Sequence, residues 1–328
     1  MVKVLVTGAA GFIGFHISRR LLERGDEVRG LLMPGEGDRG LEAEGMEVAR
    51  GDLTDPASIV GVADGCHKVI HCANRTIDWG TRRQFYSIGV DGTRNLLEEC
   101  AGKAERFVYL SSVGAYGLGV HMRDFDEYIP LVKTGIHYGD AKAEAEQLVG
   151  SYAGKGAFGA TVIRPTNVTG PGSVWVREIL DVMHRSPFPL MDGGKWSASL
   201  IYVENLVDGI LAAMDAEAAR GRTYNLRDDY RVTWGEYLRW LAGLVGKKPA
   251  GSLPFGLAWK LGWVVQTLYL PFNARPPITA QAAGIMGRDL DSSNRRAKEE
   301  LGWSTRVSWD EAKSAIERWV REEYKPPR

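Results

Sequence analysis

Val4-Leu5-Val6-Thr7-Gly8-Ala9-Ala10-Gly11-Phe12-Ile13-Gly14 is the stretch whose reading decides the fold. Lys3–Val6 is short and apolar enough to be a buried strand. Phe12–Arg24 repeats its apolar residues at helical spacing, with Gly25 placed to stop it. Three glycines lie between. Gly8 allows a tight turn, Gly11 lets a ligand approach the backbone, and Gly14 lets the helix pack close to the strand. The helix start, at Phe12 and Ile13, then offers free amides and the positive end of the peptide dipoles to a phosphate. A tight turn in any α/β protein is the plain alternative. The strand before the glycines and the helix after them favour phosphate binding.

Outward from this turn, short apolar runs recur at Glu27–Met33, Met46–Ala49, Lys68–Ala73, Arg106–Ser111 and Ala160–Arg164. Helical stretches, Thr93–Cys100 and Tyr138–Tyr152 among them, lie between the runs. Wholly apolar strands alternating with helices predict an α/β fold of Rossmann type: a doubly wound parallel sheet covered on both faces. After Pro165 the pattern changes to frequent Gly, Pro and aromatic residues with helical pieces. Residues 1–165 are therefore expected to form a dinucleotide-binding domain, and 166–328 a smaller, mostly helical substrate-binding region. Residues 199–214 are expected to return to the first domain as a strand and a helix.

Tyr138-Gly139-Asp140-Ala141-Lys142 opens a helix, and residues four apart share a helix face. A free tyrosine, with a pKa near ~10, is a poor base at neutral pH. A neighbouring ammonium and an oxidised nicotinamide would both favour phenolate. Tyr138 could then exchange a proton while hydride moves, and Lys142 would tune it and hold the nicotinamide ribose. A surface Tyr and Lys at this spacing are common, so a third element matters. Arg106-Phe107-Val108-Tyr109-Leu110-Ser111-Ser112 is a strand ending in two serines, and sites in open sheets form at carboxyl ends of strands. Ser112 is thereby expected to orient a substrate oxygen toward Tyr138.

Composition excludes other classes. Of 328 residues, 41 are Lys or Arg and 41 are Asp or Glu, so no basic excess points to nucleic acid. Three cysteines, Cys66, Cys72 and Cys100, form no disulfide framework and fit the reducing cytoplasm. No signal pattern is visible, and no apolar run reaches the ~20 residues of a spanning helix. No metal is expected at Cys66, His67, His71 and Cys72, because His71 and Cys72 point to opposite faces of a strand. Asp126 and Glu127 read as a solvated loop and Arg288–Glu300 as an exposed helix, while Trp303 and Trp319 are expected to cap the core.

Several motifs in this order resemble the extended short-chain dehydrogenase/reductase family, also called the NAD-dependent epimerase/dehydratase family, over nearly the whole chain. Its Gly-x-x-Gly-x-x-Gly turn matches Gly8, Gly11 and Gly14. Gly51-Asp52-Leu53-Thr54-Asp55 resembles the adenine-contacting segment, which implies Asp52 and Leu53 near the base. His71-Cys72-Ala73 resembles the strand end that meets the cofactor. Tyr109–Gly117 resembles the catalytic-serine stretch, with Ser112 as the serine, and Tyr138 and Lys142 match the Tyr-x-x-x-Lys pair. The run Arg164–Gly172, with Pro165, Asn167 and Val168, resembles the segment closing over the nicotinamide. The likeness implies an NAD(P)-dependent oxidoreductase, and a homodimer through the helices near 93–100 and 138–152. Two departures stand out. Gly89 replaces the usual Asn of the family's Asn-Val-x-Gly-Thr, and Asn74 replaces the second Ala of His-x-Ala-Ala. Met33 ends the second strand where Asp would favour NAD and Arg NADP. Arg39 could reach a 2′-phosphate, but Glu36 and Asp38 oppose it, so NAD is favoured over NADP.

Relatives that bind nucleotide-sugars carry an arginine before the returning strand, where this chain has Ala198. Phe255–Phe272 is almost wholly apolar, which suits a large apolar substrate and resembles the 3β-hydroxysteroid and sterol dehydrogenase branch. A Pro-Pro-x-Thr segment at 276–279 adds to that likeness. A core helix, or one resting on a membrane surface, fits residues 255–272 as well. A nucleotide-sugar epimerase or dehydratase is the competing activity, and a non-catalytic dinucleotide sensor is the third reading.

Overall fold

The computed structural model describes residues 2–156 and 158–327. In chain order the elements begin β1 (Lys3–Thr7), α1 (Phe12–Glu23), β2 (Glu27–Leu32), β3 (Glu47–Arg50), β4 (Lys68–His71), α2 (Arg82–Tyr86) and α3 (Thr93–Cys100). They continue with β5 (Arg106–Leu110), β6 (Met122–Phe125), α4 (His137–Gly154), β7 (Gly159–Pro165), β8 (Asn167–Thr169) and α5 (Val174–Arg185). Next come β9 (Leu190–Met191), β10 (Leu200–Tyr202), α6 (Val203–Asp215), β11 (Arg222–Leu226), α7 (Trp234–Leu244), β12 (Ser252–Leu253) and α8 (Phe255–Tyr269). The chain closes through α9 (Ala280–Met286), β13 (Leu290–Ser292), α10 (Arg295–Leu301) and α11 (Trp309–Glu322).

Strands β11, β7, β5, β4, β1, β2 and β3 lie side by side in that order, and each neighbouring pair is parallel. Alternate side chains of the central strands enter opposite layers, which is why these strands are apolar throughout. Val4 and Val6 pack with Ile17 and Leu21 of α1 and Leu206 and Ile210 of α6. Leu5 packs instead with Leu96 and Leu97 of α3 and Ala145 and Val149 of α4. Strand order reverses between β1 and β4, so a crevice opens beyond their carboxyl ends. A second core, built from Leu180, Trp234, Tyr237, Leu241 and Ile316, joins α5, α7 and α11. Trp303 and Trp319 are both buried, as expected of caps to the core.

Some expectations need correcting. Apolar patterning marks six strands, but Arg222–Leu226 is a seventh, at the sheet edge beside β7. Residues 199–214 do form a strand and a helix. α6 packs on the main sheet, whereas β10 pairs with β8 outside it. The run Arg288–Glu300 is not one exposed helix. Leu290–Ser292 pairs with β6 and only Arg295–Leu301 is helical, because Leu290 and Ser292 are needed inside. Glu127 is not solvated either. Its side chain is 2% exposed, accepts the Asn225 amide at 2.8 Å and faces Arg296 at 3.6 Å. The edge strand β11 would otherwise leave that amide without an acceptor.

Candidate active site

Gly8 has φ +65, and its amide donates to Leu31 of β2 at 3.1 Å, so the glycine turn hangs on the first two strands. A Cβ on Gly14 would lie 2.1 Å from the Gly8 carbonyl oxygen, closer than any atom pair tolerates. Only glycine lets α1 start this near the turn. Gly11 caps α1 with extended backbone, the helix has no side-chain cap, and its first turn carries no acid. The amides of Phe12, Ile13 and Gly14 are thus left to a ligand, and an anion is the ligand they suit. These features fit a dinucleotide pyrophosphate.

The remaining residues singled out for cofactor contact lie at or beyond the carboxyl ends of strands, or in β8. Ala73 follows β4 and lies so close that a Cβ on Gly8 would meet it at 3.0 Å. Cys72 beside it has its thiol pushed up to about 12 by burial, so it is neutral. Leu53 is buried against Gly92, and its carbonyl accepts from Asn95 at 2.8 Å; Asp52 folds back onto Thr54 at 2.8 Å. Pro165 ends β7. Asn167 is tied to Ala198 at 2.8 Å, and Val168 follows in β8. Gly170, just beyond, approaches the Phe12 ring, which brings this segment over the start of α1.

Ser112 lies just past β5, where its hydroxyl oxygen accepts from the Gly114 amide at 3.0 Å. The hydroxyl proton is left free to donate. Tyr138, in the first turn of α4, sets its ring against Gly114, the same glycine that the Ser112 hydroxyl adjoins. Gly139 makes this possible, because a Cβ there would strike the Gly114 carbonyl at 2.4 Å. Asp140 pins the preceding loop by accepting from Thr134 at 2.9 Å and Gly135 at 3.0 Å. Lys142 is buried one turn on. Its ammonium donates to the Leu110 carbonyl and lies 4.9 Å from the centre of the Tyr109 ring.

Electrostatics in the free protein differ from the expectation that Lys142 draws the Tyr138 pKa down. Desolvation raises the phenol, and the nearby Ser112 hydroxyl offsets part of that rise. Desolvation drives Lys142 down to about 8, offset in part by Cys72 and Glu146. His71 is likewise held neutral, pushed down to about 3 by burial and by the nearby Lys142. The hydrogen-bond directions then follow. Thr93 donates to the Gly89 carbonyl at 2.7 Å, so it accepts from His71 Nε2 at 3.0 Å. His71 Nδ1 accepts from Thr7 at 2.7 Å, and Thr7 accepts from the Ala73 amide at 3.2 Å. This chain ties the glycine turn to the π-helical turn Ser87–Gly92.

The structure adds residues that motif reading passed over. Glu146, one turn beyond Lys142, forms a buried ion pair with Arg164 of β7 and accepts from Ser111. Arg164 also donates to Tyr116 at 2.6 Å, and Tyr116 donates to Asn225 at 2.8 Å. The only sequence signal was a charged residue continuing the 138–142 face at 146, which by itself reads as solvated. Asn74 places its carboxamide oxygen 3.4 Å from where a Gly89 Cβ would stand, so it fills the space of the side chain missing at 89. Ala198 is fully buried, and its backbone is committed to Val232 and Asn167.

α8 packs against α9 and the loop before α4. Only Phe255, Ala258 and Gly262 of this helix are buried, which overturns a purely core role. Trp259 and Trp263 press on Gly119 and Gly135, in the segment between Ser112 and Tyr138. Leu257, Leu261, Val264 and Leu268 point outward, and Leu268 is 63% exposed. Among the described residues, no helix is long and apolar enough to cross a membrane.

Known proteins resemble this chain in sequence and fold. The model of the NAD dependent epimerase/dehydratase family matches residues 4–226. A 4-hydroxy-2-methyl-3-oxo-4-farnesyl-3,4-dihydroquinoline-1-oxide ketoreductase from Stigmatella aurantiaca is 28% identical, over 96% of each chain. Sterol demethylase protein B from Methylococcus capsulatus is 29% identical, over 98% of this chain and 99% of its own. Among solved structures, a UDP-glucose 4-epimerase from Thermotoga maritima superposes with a TM-score of 0.78 at 21% identity, covering 98% of this chain and 99% of that one. That last likeness is one of fold. A match across two-thirds of the sequence, on a doubly wound parallel sheet with its glycine turn at the crevice, leads to one conclusion: the chain belongs to the NAD dependent epimerase/dehydratase family.

Proposed function

We propose that the chain is an oxidoreductase moving hydride between a nicotinamide and the secondary alcohol or ketone carbon of a large apolar molecule. The observation that carries this reading is that the Ser112 hydroxyl and the Tyr138 ring both adjoin Gly114 just past β5, with Lys142 buried one helical turn behind. When bound, the nicotinamide supplies or accepts hydride, and in its oxidised form adds a positive charge that favours phenolate. Gly11, Phe12, Ile13 and Gly14 would hold its pyrophosphate; Asp52 and Leu53 the adenine end; Cys72, Ala73, Pro165, Asn167 and Val168 the nicotinamide end. Ser112 keeps its proton for the substrate oxygen because its own oxygen is engaged by Gly114. Tyr138 gives the proton in reduction and takes it in oxidation. Lys142, with a pKa near 8, carries its charge at neutral pH and would hold the nicotinamide ribose.

Support for an apolar substrate comes from the apolar α8, whose Trp259 and Trp263 pack on Gly119 and Gly135 in the segment leading to Tyr138, while Ala198, where an arginine would grip phosphate, presents nothing outward. The two relatives' names describe a farnesylated quinoline oxide and a sterol demethylase. The deciding experiment incubates the chain with NAD and, separately, with 3β-hydroxysterols, long-chain secondary alcohols and nucleotide-sugars. Growth of reduced-nicotinamide absorbance with a sterol or long-chain alcohol is expected. Interconversion of a nucleotide-sugar with no net reduction would replace this reading by an epimerase.

A further inference from the structure

Met33 follows β2 directly and carries no group suited to gripping a ribose diol or a phosphate. The structure supplies the missing acid from further along. The chain turns at 33–36, with the Glu36 amide donating to the Met33 carbonyl at 3.1 Å. The Glu36 carboxylate swings back to accept from the Met33 amide at 3.0 Å. Arg50, at the end of β3, clamps the turn by donating to the Glu36 carbonyl at 2.8 Å and the Met33 carbonyl at 3.2 Å.

Strand alternation tells which side that carboxylate is on. Residues two apart in a strand point their backbone groups to the same neighbour. Leu31 accepts from the Gly8 amide, hence faces β1, whereas Leu32 accepts from Gly51 and faces β3. Met33 therefore directs its amide toward β1 and the glycine turn, and Glu36 caps it there. One Glu36 oxygen is spent on that amide and the other is left over. Asp38 is committed to the Glu42 amide at 2.8 Å. Arg39 is stacked on the Phe15 ring of α1, 3.9 Å from its centre.

We infer that Glu36 is the residue that selects the cofactor: its free oxygen accepts from the adenosine ribose hydroxyls of NAD, and its charge repels the 2′-phosphate of NADP. This rests on the dinucleotide assignment made above and goes beyond it by naming the selecting side chain. An acid at this crevice discriminates by hydrogen bonding one diol and opposing one dianion.

The test is binding, read as quenching of intrinsic tryptophan fluorescence by NADH and by NADPH. Wild-type, Glu36→Gln and Arg39→Ala chains are compared, with thermal melts as the folding control. Gln keeps an acceptor for the Met33 amide and so preserves the turn. Wild type should bind NADH more tightly. Glu36→Gln should lower the NADH-over-NADPH preference roughly ten- to hundredfold, the range for losing a charged hydrogen-bond partner. Arg39→Ala should leave NADH affinity unchanged. A Glu36→Gln chain whose preference stays the same overturns the inference. So does a wild type that prefers NADPH and loses that preference in Arg39→Ala. A wild type that binds neither dinucleotide overturns the cofactor assignment itself, a result distinguishable from both.

Discussion

Replacing Arg164 by Met tests whether the buried ion pair behind the site holds it together. Arg164 contacts Glu146 at 3.0, 3.1 and 2.5 Å and Tyr116 at 2.6 Å, and the side chains of the pair are 7% and 6% exposed. Without the guanidinium, Glu146 keeps Ser111 as its partner but no counter-charge. Leaving one member of a buried pair alone costs ~3–5 kcal/mol. At ~2.1 cal/mol/K per residue, the chain's unfolding entropy is about 0.7 kcal/mol/K, so Tm should fall by roughly 4–7 °C. Glu146→Leu with Arg164→Met removes both charges and should recover much of the loss, because replacing a whole buried pair by apolar side chains is often close to neutral. Calorimetry on wild type, both single variants and the double variant measures all four corners. Glu146 and Tyr138 lie on one helix, so kcat should fall more than KM in Arg164→Met. An Arg164→Met loss under about 1 kcal/mol, or a double variant less stable than either single one, would refute the reasoning.

Three further perturbations have defined outcomes. Gly14→Ala places a carbon 2.1 Å from the Gly8 oxygen, so the turn must shift; ~1–3 kcal/mol of strain and a dinucleotide Kd raised about tenfold or more are expected, measured by fluorescence quenching. Unchanged affinity would show that the turn does not cradle the phosphates. His71 resists protonation to about 3 when folded but takes a proton near 6.5 when unfolded, so the unfolded state binds more protons between those values and stability falls as pH drops through them. Unfolding free energies from urea titrations between pH 7 and 4.5 should decline by up to about 1.4 kcal/mol per pH unit from this group, and less steeply in His71→Gln; equal slopes would contradict the buried neutral imidazole. Trp263→Ala should raise KM for a long apolar substrate several-fold with little change in NADH affinity, since the ring faces Gly135 and not the glycine turn.

Much of the site was legible because its chemistry is local. Gly8, Gly11 and Gly14 sit within seven residues, and Tyr138 and Lys142 within one helical turn, so short-range spacing carries their geometry. The central strands were legible because both their faces are covered, which leaves a wholly apolar signature in Val4–Val6 and Phe107–Val108. Edge strand β11 lacks that signature. Arg-Thr-Tyr-Asn-Leu is half polar because one side of the strand has no neighbour. Glu127 looked like a solvated charge, and nothing local marked Glu146 and Arg164 as a buried pair, since burial of a charge is decided by partners 18 to 98 positions away. Residues 255–272 were ambiguous for a different reason. Their apolar residues go round the helix, and only the packing of Trp259 and Trp263 shows which face turns inward.

The most direct measurement of the central claim follows deuterium. NADH carrying deuterium at the transferable position is incubated with 3-ketosteroids and long-chain ketones, and the products are read by mass spectrometry for wild type and Tyr138→Phe. The predicted result is one deuterium on the new carbinol carbon with wild type, and turnover lower by ~10²–10⁴-fold in Tyr138→Phe with NADH binding intact. Label that stays on the nicotinamide with every ketone, or a Tyr138→Phe chain that reduces as fast as wild type, would contradict it.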